Sequence, residues 1–242
     1  HYFDPDTMKP LINSEAAVEA LESMKRILKS SPPGVLSWEW DELWAAAMED
    51  GTVGMWIHWT DEGRRFKELA PLPVENPPQA ILGIAPTPGI EKGGKLYQYT
   101  IVDPAWVASI VKDSKNPDAA YTVLKHMFAP GPRNLKYIMS ADTGWDPSRL
   151  SHFNSTEWRK AVPGIENYLE LELKALENGF PMIKIPGAFE YNDVLDLNIS
   201  KYMAGEIPTA KATVDAVAAK WDELNKKFGV EKQKEFYAKM WQ

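Results

Sequence analysis

Two short stretches carry residue types able to hold a neutral, hydroxyl-rich ligand. Trp59-Thr60-Asp61 sets an indole face, a hydroxyl and a carboxylate within three residues. Glu190-Tyr191-Asn192 sets a carboxylate, a phenol ring and an amide side by side. A sugar or polyol needs both classes: flat rings against its C–H faces, and short acceptors for its hydroxyls, among which a charged acceptor bonds more strongly than a neutral one. Each residue also has an ordinary use in a fold. Trp59 can fill a core, Asp61 can cap the helix that follows it, and an acidic residue and an amide commonly decorate a helix N-terminus. Tyr191 is the stacking candidate of the second stretch, and Asn192 can read a hydroxyl with its amide.

Other chemistries have less support. None of the four His residues stands in a metal-ligand spacing such as His-x-x-x-His, and with zero Cys there are no thiolate metal sites and no disulfides. Gly-x-Ser-x-Gly and the phosphate-binding Gly-x-x-x-x-Gly-Lys-Ser/Thr are both absent. No cofactor is implied. Carboxylates are frequent in an acidic chain, so counting them does not remove a glycosidase, but no pair is singled out. His58 reads as a structural histidine. A net charge of −7 opposes a nucleic-acid or anionic-membrane surface. The absence of Cys fits either an extracytoplasmic bacterial protein or a chance absence. The chain starts His1-Tyr2-Phe3, which reads as a processed or truncated product. Ten Trp, nine Tyr and eight Phe suit sugar binding, although composition alone favours core packing.

The elements that must position these residues alternate between helix and strand. Apolar spacing predicts helices over Asn13–Lys29, Asp41–Met48, Asp61–Leu69, Asn116–Phe128, Arg133–Met139, Ile165–Glu177, Tyr191–Ala204, Thr209–Phe228 and Glu231–Met240. Thr52–Trp59, β-branched and aromatic, reads as a strand, as do Ala80–Ala85, Gln98–Val102 and Val107–Val111. Glu91–Lys95 reads as a turn-rich loop, Pro71–Pro78 as a Pro-rich connection, and Ala141–Asn154 as an irregular loop. The fold class is α/β.

Several segments, in order, resemble the carbohydrate-type extracellular solute-binding proteins of ABC importers, the cluster that includes maltose-binding protein. They are Asn13-Ser14-Glu15-Ala16-Ala17, Glu49-Asp50-Gly51-Thr52-Val53-Gly54-Met55, Gly83-Ile84-Ala85-Pro86-Thr87-Pro88-Gly89, Ser114-Lys115-Asn116-Pro117-Asp118, Thr143-Gly144-Trp145-Asp146-Pro147, and the ending from Phe180 to Glu223. The resemblance implies a periplasmic-binding-protein-like (type II) fold, present as the C-terminal lobe plus the crossover part of the N-terminal lobe. It implies residues 1–86 as the first part of the C-terminal lobe, 87–140 as the crossover segment, and 141–242 as the return and terminal helices. It implies no catalysis and a periplasmic or extracytoplasmic location, with the protein membrane-associated through the transporter. The partners are a small-molecule carbohydrate, the permease membrane subunits and the N-terminal part of the same protein, with no nucleic acid. It places Trp59, Asp61, Glu190, Tyr191 and Asn192 at the cleft, with Trp106 on the opposite wall, Trp145 in the interlobe loop beside Asp146 and Arg149, and Trp38 at the cleft mouth. Arg149 is also readable as a structural ion-pair residue. The alternative is a carbohydrate-active enzyme or its carbohydrate-binding module.

Overall fold

The computed structural model describes residues 1–49, 51–60, 84–102, 107–140, 143–162 and 164–241. In chain order the elements are α1 (Glu15–Leu28), a 3-10 turn (Val35–Ser37), α2 (Trp40–Trp44) running into a π-helical turn (Ala45–Glu49), β1 (Ile90–Lys92), β2 (Lys95–Tyr97), β3 (Thr100–Val102), α3 (Pro117–Phe128), α4 (Pro132–Met139), α5 (Leu150–Phe153), α6 (Thr156–Ala161), α7 (Ile165–Glu177), β4 (Gly179–Pro181), α8 (Ala188–Ala204), α9 (Ala210–Phe228) and α10 (Val230–Lys239). Helix dominates, with short strands between, a mixture compatible with an α/β fold. Among the described residues no helix is long and apolar enough to cross a membrane. The chain divides into two compact units, 1–55 with 181–242 and 56–180.

The first unit is built on α8, α9 and α10, with the N-terminal segment tucked among them. Phe3, Met8, Ile183, Ile185, Tyr191, Val217, Trp221 and Tyr237 form one buried cluster. Most of the polar groups around it are matched inside it, the buried Gln233 Oε1 being an exception among the described residues. The Trp221 indole N–H donates to the Tyr191 carbonyl at 2.9 Å, and the Tyr191 hydroxyl donates to Asn225 Oδ1 at 2.9 Å. Asn225 in turn donates to the Met8 carbonyl at 2.7 Å, and Gln233 donates to the Tyr191 hydroxyl and to the Pro186 carbonyl. The backbone N–H groups of Tyr2 and Phe3 both donate to the Tyr237 hydroxyl, at 2.9 and 3.2 Å. A buried donor left unmatched costs more than a matched pair gains, so this network fixes which side chains go where.

A second cluster of the same unit joins α1 to α8 and α9 through Leu21, Tyr202, Met203, Ala210 and Val214. Ser14 caps α1 by accepting from the Ala17 N–H, and Thr209 caps α9 by accepting from the Ala212 N–H. Lys25 of α1 reaches the other end of α8, donating to the carbonyls of Tyr202 (2.8 Å) and Met203 (2.7 Å). A cation there meets both the orphan carbonyls and the negative end of the helix dipole. Lys25→Met keeps the stem and removes the cap, so it should lower stability by about 1–2 kcal/mol in urea titration. An unchanged midpoint would mean that water replaces the ammonium at no cost.

The buried tyrosines make the first unit sensitive to alkali. Burial pushes the Tyr191 phenol up to about 12, the Gln233 bond working against this and the Glu190 charge with it. Burial, then the neighbouring Tyr237, likewise pushes Tyr2 up to about 12. Unfolded tyrosine ionises near pH 10. Between about pH 10 and 12 the unfolded chain therefore binds fewer protons than the folded one. Stability that is complete below pH 10 should fall as pH rises through 12. Denaturation midpoints across pH 9–12 check this, and Tyr191→Phe should flatten the slope.

In the second unit, β1 and β2 pair as an antiparallel hairpin with Ile90 opposite Tyr97 and Lys92 opposite Lys95, and β3 pairs with β4. Trp158, Ile165, Tyr168 and Leu169 are buried to within 1% of their surface, with Trp158 and Tyr168 rings 6.4 Å apart. Thr52–Trp59 and Val107–Val111 are not strands, and the expected loop over Glu91–Lys95 is the tip of the β1–β2 hairpin. The end of the expected Ala141–Asn154 loop is helical, as α5. The expected helix Asp61–Leu69 and connection Pro71–Pro78 lie outside the described residues, as does most of Ala80–Ala85.

Candidate functional site

Trp59 and Thr60 sit at the end of a segment whose exposure alternates. Met55, Ile57 and Trp59 are 91%, 69% and 55% exposed, while Trp56 and His58 are half-buried. The alternation that suggested a strand is therefore present without a strand ladder. It turns the Trp59 indole outward, which is the condition for stacking on a ligand. The Thr60 hydroxyl turns toward α7 and donates to Glu172 Oε1 at 3.4 Å.

Sequence reasoning did not single out Glu172. Ile165, Tyr168, Leu169 and Glu172 follow the i, i+3, i+4, i+7 spacing of one helix face, and all four are buried. A carboxyl group therefore stands where the pattern calls for an apolar side chain. That departure from the stripe is visible in the sequence once the helix is assigned. A buried carboxyl is retained only where it is hydrogen-bonded or has work to do.

Trp145 belongs to the same unit, held between α3 and α4. One face of its indole stacks on Phe128 (centroids 5.1 Å apart, planes 13°), and the Tyr137 ring leans against it at 5.5 Å. Arg149 pins this corner by donating to Asn134 Oδ1 at 2.8 Å and to the Phe128 carbonyl at 2.7 Å. Both of these bonds go to neutral oxygens and tie helix ends together. Half-buried and stacked on one side, Trp145 has at most its second face for a ligand. Asp146 beside it is exposed. Burial, then the Arg149 charge, lowers the pKa of His152 in the same corner, favouring a neutral ring that accepts from the Ser148 N–H.

The remaining expected residues lie in the first unit. Tyr191 is fully buried, and its hydroxyl is occupied by Asn225 and Gln233. The stacking role expected of it has no open ring face to use. The physical reason is register: Tyr191, Val194, Leu195 and Tyr202 share the inward stripe of α8. Glu190, one position before it, points away and pairs with Lys227 at the surface. Such exposed pairs contribute little. Asn192 is half-buried on α8, and Trp38 is half-buried just after the 3-10 turn, its backbone N–H donating to the Val35 carbonyl. Asp61 and Trp106 lie outside the described residues.

An open cavity of about 470 Å³ runs along α1. Its lining includes Glu15, Glu19 and Glu22 with Asn13, Arg26 and Lys211, and it contains no aromatic ring. It lacks the flat face that the expected ligand chemistry requires. Among the described residues no group of three or more His, Cys, Asp or Glu is arranged to hold a metal.

Comparison with known proteins adds one finding. The family model of the bacterial extracellular solute-binding proteins matches residues 1–133, more than half of the 242. No curated protein and no solved structure matches the chain. On that match, the chain belongs to the bacterial extracellular solute-binding protein family.

Proposed function

We propose that the chain is the solute-capturing component of an ABC importer, taking up a neutral sugar, oligosaccharide or polyol outside the cytoplasm and passing it to the permease subunits. Family membership supports solute capture. The outward Trp59 indole, next to a threonine bonded to a buried carboxyl group, is the observation that favours a hydroxyl-rich solute. The reading includes a two-lobed protein that closes on its solute by binding the closed state more tightly. The chain passes between its compact units at 55–56 and at 180–181, so that one unit is discontinuous and the other continuous, and a repeated crossing of this kind is compatible with a two-lobed protein. Assignment of 1–86 and 141–242 to one lobe and of 87–140 to the other is part of the same proposal, as are the roles of Trp59, Asp61, Trp106 and Trp145.

Isothermal titration of this chain against a panel of neutral sugars, polyols, peptides and metal chelates tests the solute class. Heat with a sugar or polyol is expected, without product formation. Binding confined to peptide or chelate would end the carbohydrate reading, and glycoside turnover would replace capture with catalysis. Trp59→Ala should weaken the binding found by about 1–3 kcal/mol, the scale of a lost aromatic contact. Unchanged affinity would remove Trp59 from the site.

A further inference from the structure

We propose that Glu172 is a positioning residue for the Trp59 platform, an inference that rests on the solute-binding reading for its function but not for its geometry. Three observations converge on it. Glu172 occupies the fourth place of an otherwise apolar stripe on α7 and is 5% exposed. Its carboxyl oxygen takes the hydroxyl of Thr60, a residue distant in sequence. The residue beside Thr60 is Trp59, an indole with more than half its surface in solvent.

An apolar residue at 172 would complete the stripe with Ile165, Tyr168 and Leu169 and add to packing. A chain that keeps a carboxyl there gives up some of that stability, and such local violations of pattern concentrate at functional sites. Segment 51–60 has no ladder to hold it among the described residues. The Thr60–Glu172 bond is a tether from this segment to the rigid face of a 13-residue helix. Position and tilt of an aromatic platform decide whether a pyranose face can meet it, so a supporting group can control affinity without touching the solute.

Three variants separate this from a merely structural role. Thr60→Val removes the hydroxyl at an exposed position, Glu172→Leu fills the stripe, and Glu172→Gln keeps an acceptor for Thr60. Fluorine NMR of protein labelled with 5-fluorotryptophan reads each indole separately, the Trp59 line being assigned by its loss in Trp59→Phe. Thr60→Val and Glu172→Leu should shift or broaden the Trp59 line and leave those of Trp158 and Trp221 in place, while Glu172→Gln restores the native line. A Trp59 line unmoved by Thr60→Val overturns the proposal, and so does a Trp59 line that Glu172→Gln perturbs as much as Glu172→Leu. If Glu172→Leu does not fold, Thr60→Val still decides. With a sugar that binds, Thr60→Val should raise Kd about three- to tenfold, the value of one hydrogen bond, with Glu172→Gln near native. Failure of every sugar to bind would count against the functional reading, while the NMR result stands by itself.

Discussion

Alanine at position 221 should destabilise the first unit by about 3–5 kcal/mol, the range for emptying a buried Trp site. The ring is fully buried, its centroid lies 5.3 Å from Phe3 and 5.9 Å from Tyr191, and its N–H holds the Tyr191 carbonyl. Loss of the ring opens a cavity bordered by the N-terminal segment, α8 and α9. Trp221→Phe returns most of the apolar area without the donor, so it should recover all but about 1–2 kcal/mol. Urea titration followed by circular dichroism measures both. A Trp221→Ala midpoint close to wild type would show that this cluster does not hold the unit together.

Gly187→Ala is expected to lower stability by about 2–5 kcal/mol through two separable effects. At φ 80° Gly187 occupies the left-handed region, where a Cβ costs about 1–2 kcal/mol. That Cβ would also stand 2.2 Å from the Phe228 ring, so the ring or the start of α8 must move. Overpacking of this kind adds about 1–3 kcal/mol. A double-mutant cycle distinguishes the parts: in a Phe228→Leu background the steric portion should shrink and the backbone portion remain. Equal losses in both backgrounds would assign the whole effect to φ.

Helices were the most legible part of the fold. Predicted Asn13–Lys29, Asn116–Phe128, Arg133–Met139, Ile165–Glu177 and Thr209–Phe228 correspond to α1, α3, α4, α7 and α9 with ends shifted by a residue or two. Their apolar spacing, caps and Pro or Gly stops act locally, and local signals are what a sequence displays. Strands were harder, because a run such as Thr52–Trp59 reports side-chain preference and says nothing about whether a partner strand exists. The β1–β2 hairpin had a readable cue in Gly93-Gly94, both at positive φ, between two short runs of matching length.

Legibility of the candidate site was mixed, for a related reason. Tyr191 drew attention as an aromatic at a helix start, yet its spacing to Val194, Leu195 and Tyr202 places it on the core stripe of α8. Glu172 shows the converse: its spacing places it on a core stripe, and its chemistry does not belong there. Residue type suggested the first and period located the second. Agreement between the two is uninformative about function, whereas their conflict at Glu172 marks a place to look. The Trp59–Thr60 pair was legible as chemistry, but its tether to α7 depends on tertiary structure that no local pattern encodes.

The bonds from the Tyr2 and Phe3 amides to the Tyr237 hydroxyl span 235 and 234 positions of the chain. They make the first unit late to mature during synthesis. The segment with Tyr2 and Phe3 leaves the ribosome long before Tyr237 exists, and closing a loop of that size carries an entropic charge of about 5 kcal/mol by the logarithmic rule. The second unit, contiguous over 56–180, is free to fold meanwhile. During that interval Phe3 and Met8 have no complete pocket to enter, and they stay without it until the helix that carries Tyr237 has been made. Removal of α10 should therefore release residues 1–10 as well, a linkage between two distant segments visible as a gain of protease sensitivity around residues 1–10.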